Sequence, residues 1–163
     1  MADLLTHMLV AFTLVTIASW AVDWLDRRAA VLAMGGAAIP DLTKVDLLLD
    51  ADTVETALGV PFSYSPLSTL GGVFLVAALL TLAFDRALWP RVYGLFVVGG
   101  VSALVLDGLR AYADGQASAW LYPFTNWRPP TPSLYVSSDP RVLVFALLVT
   151  GVVFIVDQRV GRA

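Results

Sequence analysis

The chain has 163 residues, 58% of them hydrophobic and only 14% charged, whereas a soluble domain carries about 25% charged residues. That balance cannot cover a soluble surface. With no cysteine, disulfides, thiolate metal sites and cysteine nucleophiles are excluded, and a net charge of −3 without a Lys/Arg cluster argues against nucleic acid as a partner, because neutralising phosphates needs a basic patch.

A membrane-spanning helix needs roughly 20 mainly apolar residues, since the hydrocarbon core is about 30 Å thick. Residues 4–22 form the first such stretch; they contain His7 but no carboxylate and no Lys or Arg. With neither a basic lead nor a small-residue cleavage signal, the stretch is expected to remain a span and not to be a cleaved signal peptide. Residues 29–39 are apolar and rich in Ala and Gly, but as a helix they would cover only about 16 Å. Pro40 is expected to end this short helix, which small residues would let pack closely against its neighbours. Residues 41–66 are polar, with a short amphipathic helix expected over 52–58. Residues 67–84 and 91–109 are expected to form two spans joined by the turn at Asp85 and Arg86. Residues 110–140 hold Trp120, Tyr122, Trp127, Tyr135 and five prolines, which suits an ordered loop at the headgroup level. Residues 141–156 make a fourth span, short enough to require tilt or membrane thinning. No linker or repeat divides the sequence, so residues 1–163 are read as one integral membrane domain. The expected fold is all-α: a polytopic transmembrane bundle of four long spans, one short helix ending at Pro40 and two long outer-face loops.

If residues 29–39 also cross, the chain makes five passes, and loops 23–28 and 85–91 share a side with the C-terminal tail. That side holds six basic residues (Arg27, Arg28, Arg86, Arg91, Arg159, Arg162) against four acidic ones, while the other side holds four basic and nine acidic. The positive-inside rule then places the N-terminus outside and the C-terminus in the cytoplasm of a multi-pass cell-membrane protein. A re-entrant segment at 29–39 is the competing topology, and it would blur this asymmetry. The surrounding partner is membrane lipid; the sequence names no protein partner.

In the five-pass arrangement His7, Asp41, Ser68 and Asp107 all lie near the outer face, with Asp46 just beyond Asp41. Ionisable groups in or beside hydrophobic spans are costly and mark sites by default. One imidazole and three carboxylates could converge there on a cation such as zinc or manganese. Each residue also has a plainer reading. His7 and Asp107 can reach headgroups or water, Asp107 can meet the Ser102 hydroxyl, Asp41 can cap a turn, and Asp46 can be solvated. The pairs Gly35-Gly36, Gly71-Gly72 and Gly99-Gly100 suit close helix packing. Transport is disfavoured because the inner halves of the spans hold no ionisable residue. A Ser/His/Asp triad would need Ser68 brought to His7 across helices together with an orienting carboxylate.

The order of THMLVAF (6–12), GAAIPDLTKVDLLL (36–49), SPLSTLGG (65–72), SALVLDGL (102–109) and the aromatic, Pro-rich run 120–139 resembles the membrane-bound metal-dependent hydrolases, a family related to zinc-dependent phospholipase C. The resemblance covers most of the chain. It implies a metal held at His7, Asp41, Ser68, Ala103 and Asp107, of which the second and third histidine positions are here Ser68 and Ala103. With one histidine in the chain, the family's site is depleted. It would be oxygen-rich and better suited to manganese or magnesium than to zinc, or it would hold no metal at all. The resemblance thus implies hydrolysis of a phosphoester, such as a lipid headgroup, at the outer face. The alternative is a catalytically inactive homologue serving as a membrane scaffold or partner subunit.

Overall fold

A computed structural model describes residues 2–136 and 139–160. Ser137 and Ser138 of the aromatic loop, and Arg162 of the charge count, lie outside the described residues. Among the described residues six α-helices carry the fold: α1 (Ala2–Ser19), α2 (Arg27–Ala37), α3 (Ala51–Leu58), α4 (Leu70–Thr81), α5 (Trp89–Leu109) and α6 (Pro140–Val160). The described residues contain no strand, only isolated bridges pairing Arg110 with Tyr135 and Gln116 with Pro130.

The expected short helix is α2. Asp26 starts it by accepting a hydrogen bond from the Ala29 amide at 2.8 Å, and beyond Ala37 the chain tightens at Pro40 into a 3-10 helix, Pro40–Leu47. Residues 40–47, expected as loop, are therefore helical. Helix α3 matches the expected amphipathic segment and buries none of its residues.

The expectation of four long spans needs correction. Among the described residues two helices are long and apolar enough to cross a membrane, within Arg86–Leu109 and Pro140–Arg159; α1 and α4 are apolar but shorter. Expected over 67–84, α4 has only 12 residues, about 18 Å of helix. Its start is fixed by Thr69, whose extended backbone and side-chain bond to the Gly72 amide cap the helix behind the 3-10 turn Ser65–Ser68. Its last residue, Thr81, returns its hydroxyl to the Ala77 carbonyl at 2.7 Å, and beyond it the chain tightens, with the Leu82, Ala83 and Phe84 amides donating to the carbonyls of Leu79, Leu80 and Thr81. Ser19 likewise returns its hydroxyl to the Thr16 carbonyl at the end of α1. Conversely α6 has 21 residues, so the short fourth span expected over 141–156 is long enough to cross without thinning.

Helix α5 lies at the centre, packed on α1, α2 and α4, and α6 packs chiefly on α1, where Thr13 and Thr150 share a 2.9 Å hydrogen bond. The core between α1, α2 and α5 is built largely from alanine: Ala11, Ala29, Ala30, Ala33, Ala37 and Ala103. A second cluster joins α4 to α5 through Val73, Ala77, Phe96 and Leu104. Such small cores bury little area per residue, so tight backbone approach has to supply the packing. The outward faces stay apolar: Phe145 is 70% exposed and Leu148 64%.

At one end of the bundle, Trp20 donates to Asp157 at 3.3 Å and Arg27 stands 4.0 Å from the same carboxylate. Arg27 also lies over the Phe154 ring and Arg91 over Trp24, both at 5.4 Å. These contacts bring together the end of α1, the starts of α2 and α5, and the end of α6. The opposite end gathers the start of α1, the end of α2 and the end of α5.

Candidate functional site

His7, in the second turn of α1, is 1% exposed. The 3-10 helix that follows α2 brings Asp41 to within 3.7 Å of its Nδ1, and the last turn of α5 brings Asp107 to within 3.5 Å of its Nε2. Residues 34 and 100 positions downstream of His7 are thus placed on opposite edges of one ring. His7 Nδ1, His7 Nε2 and Asp41 Oδ2 are buried without a hydrogen-bond partner among the described residues, so the contacts are electrostatic and lack hydrogen-bond geometry.

Each carboxylate has its own cation. Lys44 Nζ stands 2.5 Å from Asp41 Oδ1, and the Arg110 guanidinium 3.5 Å from Asp107 Oδ1. Burial alone would push the Asp41 carboxyl up; the adjacent His7 ring and Lys44 ammonium outweigh it and hold the group below its ordinary value. The chain Lys44–Asp41–His7–Asp107–Arg110 therefore balances two negative charges with two positive ones before any charge on the ring is counted.

A hydrolytic metal would need several ligands directed at one point. An imidazole offers an ion one nitrogen at a time, so His7 cannot bring Asp41 and Asp107 to the same ion while they lie off different nitrogens. Among the described residues, no set of three or more His, Cys, Asp or Glu side chains is arranged to hold a metal. Ser68 donates its hydroxyl to the Ser65 carbonyl at 3.0 Å, and Ala103 is a fully buried methyl group in the core. As arranged, these residues do not fit a single ion held by His7, Asp41 and Asp107 together.

Of the residues expected from sequence, the fold gathers His7, Asp41 and Asp107. Asp46 does not join them: its carboxylate accepts from the Ala51 amide at 2.9 Å and satisfies the first turn of α3. The Ser102 hydroxyl, offered as a partner for Asp107, donates instead to the Gly99 carbonyl at 2.7 Å. Sequence reasoning missed Lys44 and Arg110 as members of the cluster. The signal was there, since each site aspartate is followed three residues later by a basic residue (DLTK and DGLR), a spacing that puts both on one helical face. A cleft of about 450 Å³ beside Ser19, Arg27 and Asp157 lies at the other end of the bundle and shares no residue with this network.

No protein-family model, curated protein or solved structure matches this chain.

Proposed function

We propose that this is a membrane-embedded helical protein that keeps the plan of the membrane-bound metal-dependent hydrolases but serves as a noncatalytic scaffold or partner subunit, with the His7 network tying α1 to the ends of α2 and α5. The observation that carries this reading is the pairing at His7: each ring nitrogen faces a different carboxylate, and each carboxylate already has a cation. A ground state so balanced in charge has no call for an added cation. The membrane placement rests on α5 and α6, whose length and apolar exposed faces suit lipid, and on the Trp20, Trp24, Arg27 and Arg91 cluster, of a type that settles at membrane interfaces. In this reading the N-terminus is outside and the C-terminus cytoplasmic.

A second reading, a hydrolase using zinc, manganese or magnesium on a phosphoester, is favoured by one observation. Three polar atoms at the site, both His7 nitrogens and Asp41 Oδ2, are buried without hydrogen bonds, and such atoms call for a partner. Metal content separates the two. Purified protein supplemented with zinc and manganese is assayed by inductively coupled plasma mass spectrometry beside His7→Ala and Asp41→Asn. The scaffold reading expects no stoichiometric metal in any of the three; near-stoichiometric metal lost in both variants would overturn it in favour of the hydrolase.

A further inference from the structure

At the same end of the bundle as His7, the loop before α4 and the loop after α5 enclose a cleft of about 430 Å³, whose lining includes Ser63, Ser65, Ser68, Ser118, Tyr122 and Arg128. Its walls are stitched together. The Ser118 hydroxyl donates to the Ser68 carbonyl at 3.1 Å, and the Leu70 amide donates to the Trp120 carbonyl at 2.9 Å. A side chain on Gly72 would overlap the Pro66 carbonyl, so the loop before α4 is pressed onto the helix it precedes.

The cleft offers little to an anion. Arg128 is engaged by Asp114 at 2.6 Å and by the carbonyls of Ala117 and Gln116 at 2.8 and 3.1 Å. Three amides of the first turn of α4 are engaged as well: that of Leu70 goes to Trp120, while those of Gly72 and Val73 go to Thr69. What remains is neutral hydrogen bonding. Ser63 donates to the Ser65 hydroxyl at 3.1 Å, which leaves the Ser65 hydrogen available as a donor. Ser68 and Ser118 donate to carbonyls, which leaves their oxygen lone pairs as acceptors. The half-exposed Tyr122 ring adds an aromatic wall.

We propose that this cleft binds a polyhydroxyl group, either the sugar headgroup of a membrane lipid or a free sugar. Interleaved donors and acceptors beside an aromatic ring match a chain of hydroxyls carried on an apolar carbon face, and the neutralised arginine selects against phosphate. The inference rests on the membrane reading only for the lipid as a source.

The test has two arms on the full-length protein. In detergent, titration with methyl glucoside followed by saturation-transfer NMR is expected to show saturable binding that Ser65→Ala weakens about fivefold, the worth of one neutral hydrogen bond. Ser65→Gln, which fills the cleft from an exposed position, is expected to abolish it, with helicity by circular dichroism unchanged. In nanodiscs holding equal fractions of glucosyl diacylglycerol and phosphatidylglycerol, native mass spectrometry of retained lipid identifies the source: enrichment of the glucolipid assigns the cleft to a lipid headgroup, and its absence beside positive titration assigns it to a free sugar. No saturable glucoside binding, binding indifferent to both Ser65 variants, or preferential retention of phosphatidylglycerol overturns the proposal. Failure to enter nanodiscs would strike the membrane reading alone and leave the detergent result to decide the cleft.

Discussion

Gly99 of α5 runs so close beneath Ala33 of α2 that a Cβ on the glycine would overlap the Ala33 carbonyl oxygen. The neighbouring Gly36 meets the Phe96 backbone in the same way, so the two helices touch backbone to backbone. Gly99→Ala is expected to destabilise the fold by about 1–3 kcal/mol, as overpacking does. Gly94→Ala on the same helix, where nothing lies within 4 Å of an added Cβ, is expected to be neutral or slightly stabilising. Unfolding midpoints in detergent check the pair; equal losses would mean that α2 and α5 are not in close contact.

The His7 network predicts a graded set of stability losses. His7→Ala removes the ring between two carboxylates and leaves both facing a void; a loss of about 1–3 kcal/mol is expected. Lys44 is 46% exposed, so Lys44→Ala is expected to cost no more than about 1 kcal/mol. The double variant Asp41→Asn with Lys44→Ala should cost less than the two singles together. Strict additivity in a double-mutant cycle would remove Lys44 from the network.

Acid sensitivity follows from Asp41. Its carboxyl sits below its ordinary value of 3.8 in the folded chain. A group lowered by folding stabilises the fold above its unfolded value, and that contribution disappears as pH falls through the lowered one. Unfolding midpoints measured downward from about pH 5 should therefore drop in the natural chain below its ordinary value and drop less steeply in Asp41→Asn. Parallel profiles for the two proteins would show that Asp41 gains nothing from His7 and Lys44.

Membrane placement is testable because the chain has no cysteine, so each introduced thiol is the sole target for labelling. Leu148→Cys on the exposed face of α6 is expected to resist a membrane-impermeant maleimide in intact vesicles and to react once the membrane is dissolved. Leu48→Cys, at a position 91% exposed in the polar loop, is expected to react from the outside without detergent. Equal labelling of both sites in intact vesicles would refute the placement of α6 in lipid.

The all-helical class is legible from apolar runs, and costly ionisable groups at the ends of those runs mark His7, Asp41 and Asp107; the structure brings the two carboxylates within 3.7 Å and 3.5 Å of the one ring. Helix lengths were less legible. Hydropathy continues smoothly through Leu67 and Leu82, but Thr69 caps the start of α4 and after Thr81 the backbone tightens into i→i−3 bonds. Asp46 was misplaced for a similar reason: nearness in sequence to Asp41 does not put it on the same side of the 3-10 helix, and the Ala51 amide claims it. Lys44 and Arg110 count toward the charge of one side of the membrane, and a count of charge per side carries no information on which carboxylate each one meets. Only the geometry shows each one pinned to a particular carboxylate.

The order in which these parts leave the ribosome follows from where they sit in the chain. His7, Asp41, Lys44, Asp107 and Arg110 all precede residue 111, as do the helices whose alanines form the central core. Helix α6 begins at Pro140 and leans chiefly on α1. In sequence the polar network and its supporting core are complete about 30 residues before α6 begins, so α6 adds its contacts to α1 from outside the set of residues that builds the network.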